Sequence, residues 1–249
     1  MKTTFSAMKN TLSVALLAGL FLLTSCEKES TGTPGSEDAI TDEEAVALVE
    51  GAMALEAEGL TAELDAAIEV TQPMLQKSPT NPYCGISNDS TVTHTFTSAR
   101  FDGNLSTDWQ WMLNCDDNDL PVSLTYNRTG EVSYESLRLI SSDYAEGNWS
   151  MTNLLGGAEY LFNGSYERNG TQESKVRNQT SLESTVKFNL TDLAVGKVKR
   201  QINSGAATFT ITGETSTGNS YSLSGTIIFL GDGAAEVVIN GTVYAIDLY

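Results

Sequence analysis

The sequence predicts a mainly β protein: a curled antiparallel β-meander (half-barrel, barrel or sandwich) preceded by one or two short acidic α-helices. Three observations carry this expectation. From Thr91 onward apolar and polar residues alternate with a period of two, as in strands that bury one face. Glycine-containing turn dipeptides recur at short intervals among those runs. Ahead of them, residues 37–72 follow a helical period instead.

The helical segment, 37–73, opens on Thr41-Asp42-Glu43-Glu44, the Ser/Thr-x-x-Glu form of a capping box, with acids suited to the positive helix N-terminus. Val46, Val49 and Met53 form an apolar stripe that Leu60, Leu64 and Ile68 continue. Gly51 and Gly59 weaken the run, so two shorter helices with a break near Gly59 are expected, and Pro73 ends the segment. Eleven acids and no base lie between Glu37 and Glu69, which reads as a solvated helix face ahead of a calcium site.

The β domain, 81–249, begins where Val92, His94 and Phe96 share one face against a row of threonines. Trp109, Trp111, Leu113 and Cys115 line the next face, and Val186, Phe188 and Leu190 alternate with Thr185, Lys187 and Asn189. Ala207-Phe209-Ile211, Tyr221-Leu223, Ile227-Phe229 and Tyr244-Ile246-Leu248 repeat the pattern. Asn169-Gly170, Asp232-Gly233 and Asn240-Gly241 read as type I′ hairpins, and Thr217-Gly218-Asn219 as a looser turn. A meander of about 8–11 strands follows. Gly164, Gly213, Gly225 and Gly241 mark bends that would curl the sheet. A curled sheet needs its apolar concave face covered. The helices are the candidate cover unless the sheet closes on itself. Such an architecture resembles the half-barrel carriers that ferry lipoproteins or lipids through the periplasm. The resemblance implies an apolar ligand held between sheet and helices, and it rests on architecture without a motif.

Residues 1–25 read as an export signal. Lys2 and Lys9 precede an apolar run from Leu12 to Leu23, too short to span a bilayer, and Met8-Lys9 would serve as a start as well as Met1. The run ends in Leu23-Thr24-Ser25-Cys26, which resembles the lipobox of Gram-negative bacterial lipoproteins: Leu, two small residues, then the cysteine. The resemblance implies cleavage before Cys26, diacylglycerol on its thiol, acylation (palmitate) of its new amino group, and passage through the lipoprotein-processing and sorting machinery. Residues 26–36, rich in Gly, Pro and Ser, form a disordered tether. Glu27 and Glu29 behind the anchor resemble surface-export signals. The expected location is the outer membrane, lipid-anchored, with an outward face slightly preferred.

The formal charge is −18, moving to about −20 after cleavage because two lysines and no acid leave. Such a surface repels phosphate backbones, so nucleic acid is not an expected partner. With Cys26 committed to lipid, Cys84 and Cys115 remain as an even pair for a disulfide in an oxidising compartment.

Catalytic sets are missing from the sequence pattern. His94 is the single histidine and reads as an ordinary strand residue. Asp108 beside Trp109 and Trp111 is the best arrangement for a glycan site, since sugars stack on aromatics, although both tryptophans also read as core. Asp116, Asp117 and Asp119 are dense enough in oxygen for Ca²⁺ but lack the EF-hand spacing, and an acidic turn is the plainer reading. Asp89-Ser90-Thr91 resembles a bacterial O-glycosylation acceptor, placing Ser90 in an expected exposed loop. No cofactor is implied beyond the lipid on Cys26. The expected function is a non-enzymatic binding or structural role in the cell envelope. A hydrophobic-ligand carrier and a glycan-acting enzyme are the alternatives.

Overall fold

In the computed structural model the described residues are 40–75, 81–176 and 181–249, all within one compact unit, Gly35–Tyr249. The expected signal peptide at 1–25, Cys26, and the expected tether at 26–36 lie outside the described residues.

Helix α1 (Asp42–Met53) starts on the expected capping box: the Glu44 amide donates to Thr41 Oγ1 at 3.2 Å, and the Thr41 amide donates to Glu44 Oε2 at 3.1 Å. Twelve-residue helices are marginal alone, so packing must hold this one. Its apolar residues Ala45, Leu48, Val49, Ala52 and Met53 are all buried. Gly51, which weakens the helix by propensity, is required by packing, because a Cβ there would collide with the Tyr134 hydroxyl. A 3₁₀ turn (Leu55–Ala57) and Glu58 in the left-handed region (φ 51°) break the chain. Gly59 then caps α2 (Leu60–Thr71). Its Cα passes so near the Ala52–Met53 backbone that a Cβ would lie 2.7 Å from the Ala52 carbonyl oxygen. Pro73 ends the segment inside a second 3₁₀ turn, Gln72–Met74.

Ten strands follow in one antiparallel sheet whose spatial order is its sequence order. They are β1 (Ser87–Thr97), β2 (Asp102–Cys115), β3 (Pro121–Glu135), β4 (Leu139–Thr152), β5 (Glu159–Ser174), β6 (Ser181–Gly196), β7 (Ile202–Thr215), β8 (Ser220–Gly231), β9 (Ala234–Ile239) and β10 (Thr242–Asp247). β1 and β10 each pair on one side only, so the sheet is open, neither a closed barrel nor a sandwich. The inner-face residues of β2 to β10 and the apolar residues of both helices form one core. The 12- to 16-residue strands β2 to β8 stay on that core only because they bend. Register shifts interrupt β2, β5, β6 and β8. At four positions an aromatic ring lies over the glycine directly across the ladder: Phe96 over Gly103, Trp149 over Gly164, Tyr221 over Gly213, and Phe209 over Gly225.

Asp232-Gly233 and Asn240-Gly241 make the expected tight turns with positive φ at both residues, and Gly218 (φ 85°) turns β7 into β8. Asn169-Gly170 does not turn. It lies inside β5, with Gly170 opposite both Asp143 and Ser184. The inner face of β5 continues past it through Arg168, Gln172 and Ser174, polar residues that disguise a buried strand as surface. Cys84 and Cys115 form the expected disulfide, Cα–Cα 5.6 Å, tying the segment before β1 to the end of β2. Arg100, between β1 and β2, donates to the Asp247 carbonyl at 3.1 Å and pairs with Glu50 at 3.2 Å. It thereby joins the first hairpin, α1 and the end of β10.

Candidate functional site

The residues singled out from sequence do not assemble into one site. Neighbours along a strand face opposite ways, so Asp108 is on the outer face while Trp109 and Trp111 are on the inner one, packed against the core. Asp108 accepts from Thr91 Oγ1 at 2.6 Å, in an outer-face cleft of about 290 Å³. The Trp109 indole donates to Thr107 Oγ1 at 2.8 Å. Asp116 organises its own turn: its Oδ1 accepts from the Asn118 and Leu120 amides at 2.8 and 2.9 Å, and these bonds hold its carboxyl below the usual range. Asp117 is exposed, and Asp119 takes a left-handed conformation (φ 59°). Among the described residues no group of three or more His, Cys, Asp or Glu side chains could hold a metal ion. Ser90 is not in a loop. It lies in β1 opposite Trp109, half-buried, because the threonine-rich stretch from Ser87 pairs without interruption against β2. His94 is on the same strand, its Nε2 3.0 Å from Glu58 Oε1.

The structure brings together a different set: a polar seam where the helices meet the sheet. Glu63 of α2 is fully buried, and its Oε2 accepts from the Trp149 indole of β4 at 2.8 Å. Gly147 makes room for that carboxylate, since a Cβ there would collide with it. Arg128 of β3, 2% exposed, lies between two acids, with Nε 3.8 Å from Glu63 Oε1 and Nη2 3.7 Å from Glu58 Oε2. Its guanidinium carbon is 5.5 Å from the Trp109 ring centroid, a cation–π stack. Arg168 of β5 donates through Nη2 to the Ala57 and Glu58 carbonyls at 2.9 Å, capping the end of the 3₁₀ turn. Its Nε donates to Tyr166 Oη at 2.7 Å, and its Nη1 is 3.8 Å from Asp143 Oδ2. Asp143 accepts from Ser141 at 2.8 Å and Gln172 at 2.6 Å, and Gln172 accepts from Ser184 at 2.6 Å.

Burial dominates the electrostatics of this seam. It pushes the Glu63 and Asp143 carboxyls up, against the pull of Arg128 and Arg168. It also raises the Tyr126 and Tyr134 phenols above their ordinary value, and the Tyr166 phenol to about 12. Acids, guanidinia and phenols of this kind serve catalysis elsewhere, but here they are sealed between two layers. The seam fixes the helices on the sheet. Glu63 is therefore a correction to the expectation of a solvated acidic face. So is Glu44, whose carboxylate folds back on its own helix cap. The available sequence signal was parity: Arg128 falls in step with Leu124, Tyr126, Val132 and Tyr134, all inward.

On the outer face, a cleft of about 470 Å³ crosses β5, β6 and β7 between Asn169, Thr185 and Thr212. A second of about 340 Å³ adjoins it, and the two share Thr171, Glu183 and Glu214. Glu183 and Glu214 are directly opposite in the ladder, and no basic side chain among the described residues pairs with either. No protein-family model, curated protein or solved structure matches the chain. Fold and sites thus define a class, an open antiparallel meander plugged on its concave side by its own helical pair.

Proposed function

We propose that this chain is a lipid-anchored protein of the bacterial cell envelope whose β domain has a non-enzymatic binding or structural role. The observation that carries the role is the filled concave face. Leu48, Val49, Met53, Leu60, Leu64 and Ile68 occupy the space in which a half-barrel carrier would hold its ligand. A carrier would have to expel both helices and break the Glu63–Trp149 and Arg168–Ala57 bonds. The surface left for a partner is the outer face, with its polar clefts over β5 to β7. The anchor is supported by Leu23-Thr24-Ser25-Cys26 and the polar tether behind it. Two acyl signals on one cysteine suffice for stable membrane attachment where a single chain gives marginal binding. No helix among the described residues is long and apolar enough to cross a membrane.

The test is metabolic labelling with an alkyne fatty acid in a Gram-negative host, followed by fractionation and protease shaving of intact cells. The wild type should incorporate label and sediment with the outer membrane, and Cys26→Ala should do neither. Label that persists in Cys26→Ala would refute the anchor. Apolar ligand that co-purifies stoichiometrically with the released domain would refute the plugged, non-carrier reading.

A further inference from the structure

We infer that the seam beneath the 3₁₀ turn and α2 is a water-binding site, in which ordered water joins Arg128 and Tyr126 to Glu63. Four buried polar atoms there have no hydrogen-bond partner among the described residues: Glu63 Oε1, Tyr126 Oη, and Arg128 Nε and Nη2. They belong to one locus. Tyr126 and Arg128 are two residues apart on the inner face of β3, and Arg128 Nε is 3.8 Å from Glu63 Oε1. That separation is too long for a hydrogen bond, yet both atoms can reach one shared water oxygen at ordinary bond lengths.

The side chains have little freedom to close the gap themselves. The Trp109 ring stacks on the Arg128 guanidinium, and the Trp149 indole holds the other Glu63 oxygen at 2.8 Å. Leaving four such atoms unmet would be costly in a site this enclosed, and buried polar groups are met by protein or by ordered water in nearly all folded proteins. The chemistry also selects the occupant. Three of the four atoms belong to donor groups and one is a carboxyl oxygen, so the occupant must both accept and donate. Water does both. A small anion would accept from Arg128 and Tyr126 but face Glu63 Oε1. The same shortage recurs at Arg168 Nη1, 3.8 Å from Asp143, which extends the polar locus along the seam.

Oxygen-17 relaxation dispersion on the full chain counts long-lived internal waters. The wild type should show them, and Tyr126→Phe, which removes one donor and little volume, should lower the count. Glu63→Leu with Arg128→Leu, which removes three of the four unpartnered atoms, should lower it at least as far. An unchanged count in Tyr126→Phe would overturn the inference. So would a high-resolution crystal structure in which Arg128 bonds Glu63 directly with no density between Tyr126 and Arg128. Bromide soaked into the crystals provides the remaining arm. An anomalous peak against Arg128 would replace water with an anion.

Discussion

Replacing Glu63 by leucine should cost the fold about 3–5 kcal/mol, the usual loss when one partner of a buried charge pair is removed. The structure shows why the full range applies. Glu63 is wholly buried, accepts from Trp149, and is among the described residues the only buried acid paired with Arg128, whose other acidic neighbour, Glu58, is 3.7 Å away and part-exposed. The variant would leave a buried guanidinium with only the part-exposed Glu58 as an acidic neighbour, and an indole N–H without its acceptor. Arg128→Leu should cost a similar amount by stranding Glu63. The double variant removes both charges at once, so its cost should be about 2 kcal/mol or less, because an apolar replacement of a buried pair is often close to neutral. Urea unfolding followed by tryptophan fluorescence at pH 7 measures all four corners of the cycle, provided the slope of each transition is unchanged. Additive losses, about 6–10 kcal/mol in the double variant, would refute the reasoning. So would single variants within about 0.5 kcal/mol of wild type, since exposed pairs behave that way and buried ones do not.

Three further outcomes are expected. Burial raises the folded-state Glu63 and Asp143 carboxyls above their ordinary values of 4.5 and 3.8, so the native state holds protons that the unfolded chain has released. Their contribution is therefore largest at low pH and declines as pH climbs from those values through the raised ones; the urea midpoint measured across that window should fall more steeply in wild type than in Glu63→Gln. Gly147→Ala should destabilise by about 2–4 kcal/mol in thermal or urea unfolding, because its methyl group takes the place of the Glu63 carboxylate, whereas an equal loss in Glu63→Ala/Gly147→Ala relative to Glu63→Ala alone would contradict this cause. Cys84→Ser with Cys115→Ser should lower stability by roughly 3–4 kcal/mol, the loop-closure value for a 31-residue separation, and reductant should then have no further effect on the melting temperature.

Much of the architecture was legible because it depends on local chemistry. Thr41 and Glu44 announce a helix start whatever surrounds them, and both capping bonds form. Asp232-Gly233 and Asn240-Gly241 turn because their backbones tolerate positive φ. The alternation in Val186-Phe188-Leu190 places a strand on a core without naming its partner. Where polarity and burial disagreed, the same logic failed. Asn169-Gly170 has the chemistry of a hairpin but lies in mid-strand, since Arg168 and Gln172 on either side face inward toward partners from the 3₁₀ turn and β4. Asp108 adjoins Trp109 in sequence, the arrangement a glycan site would need, but the pleat sends the acid outward and leaves the tryptophans on the core, the plainer of the two expectations.

The sequence by itself determined that short helices precede an antiparallel meander, the cysteine pairing once Cys26 was set apart, and the expectation of a lipid anchor. These depend on contacts within a few residues or on counting. Only the tertiary structure decided that the sheet stays open, that its own helices fill it, and that Glu63, Arg128, Arg168 and Asp143 are buried together. Each of those outcomes depends on partners far apart in the chain, Glu63 from Trp149 by 86 residues and Arg168 from Ala57 by 111. A charged residue reads as surface until its counter-charge and hydrogen-bond partners are placed around it, and only folding places them.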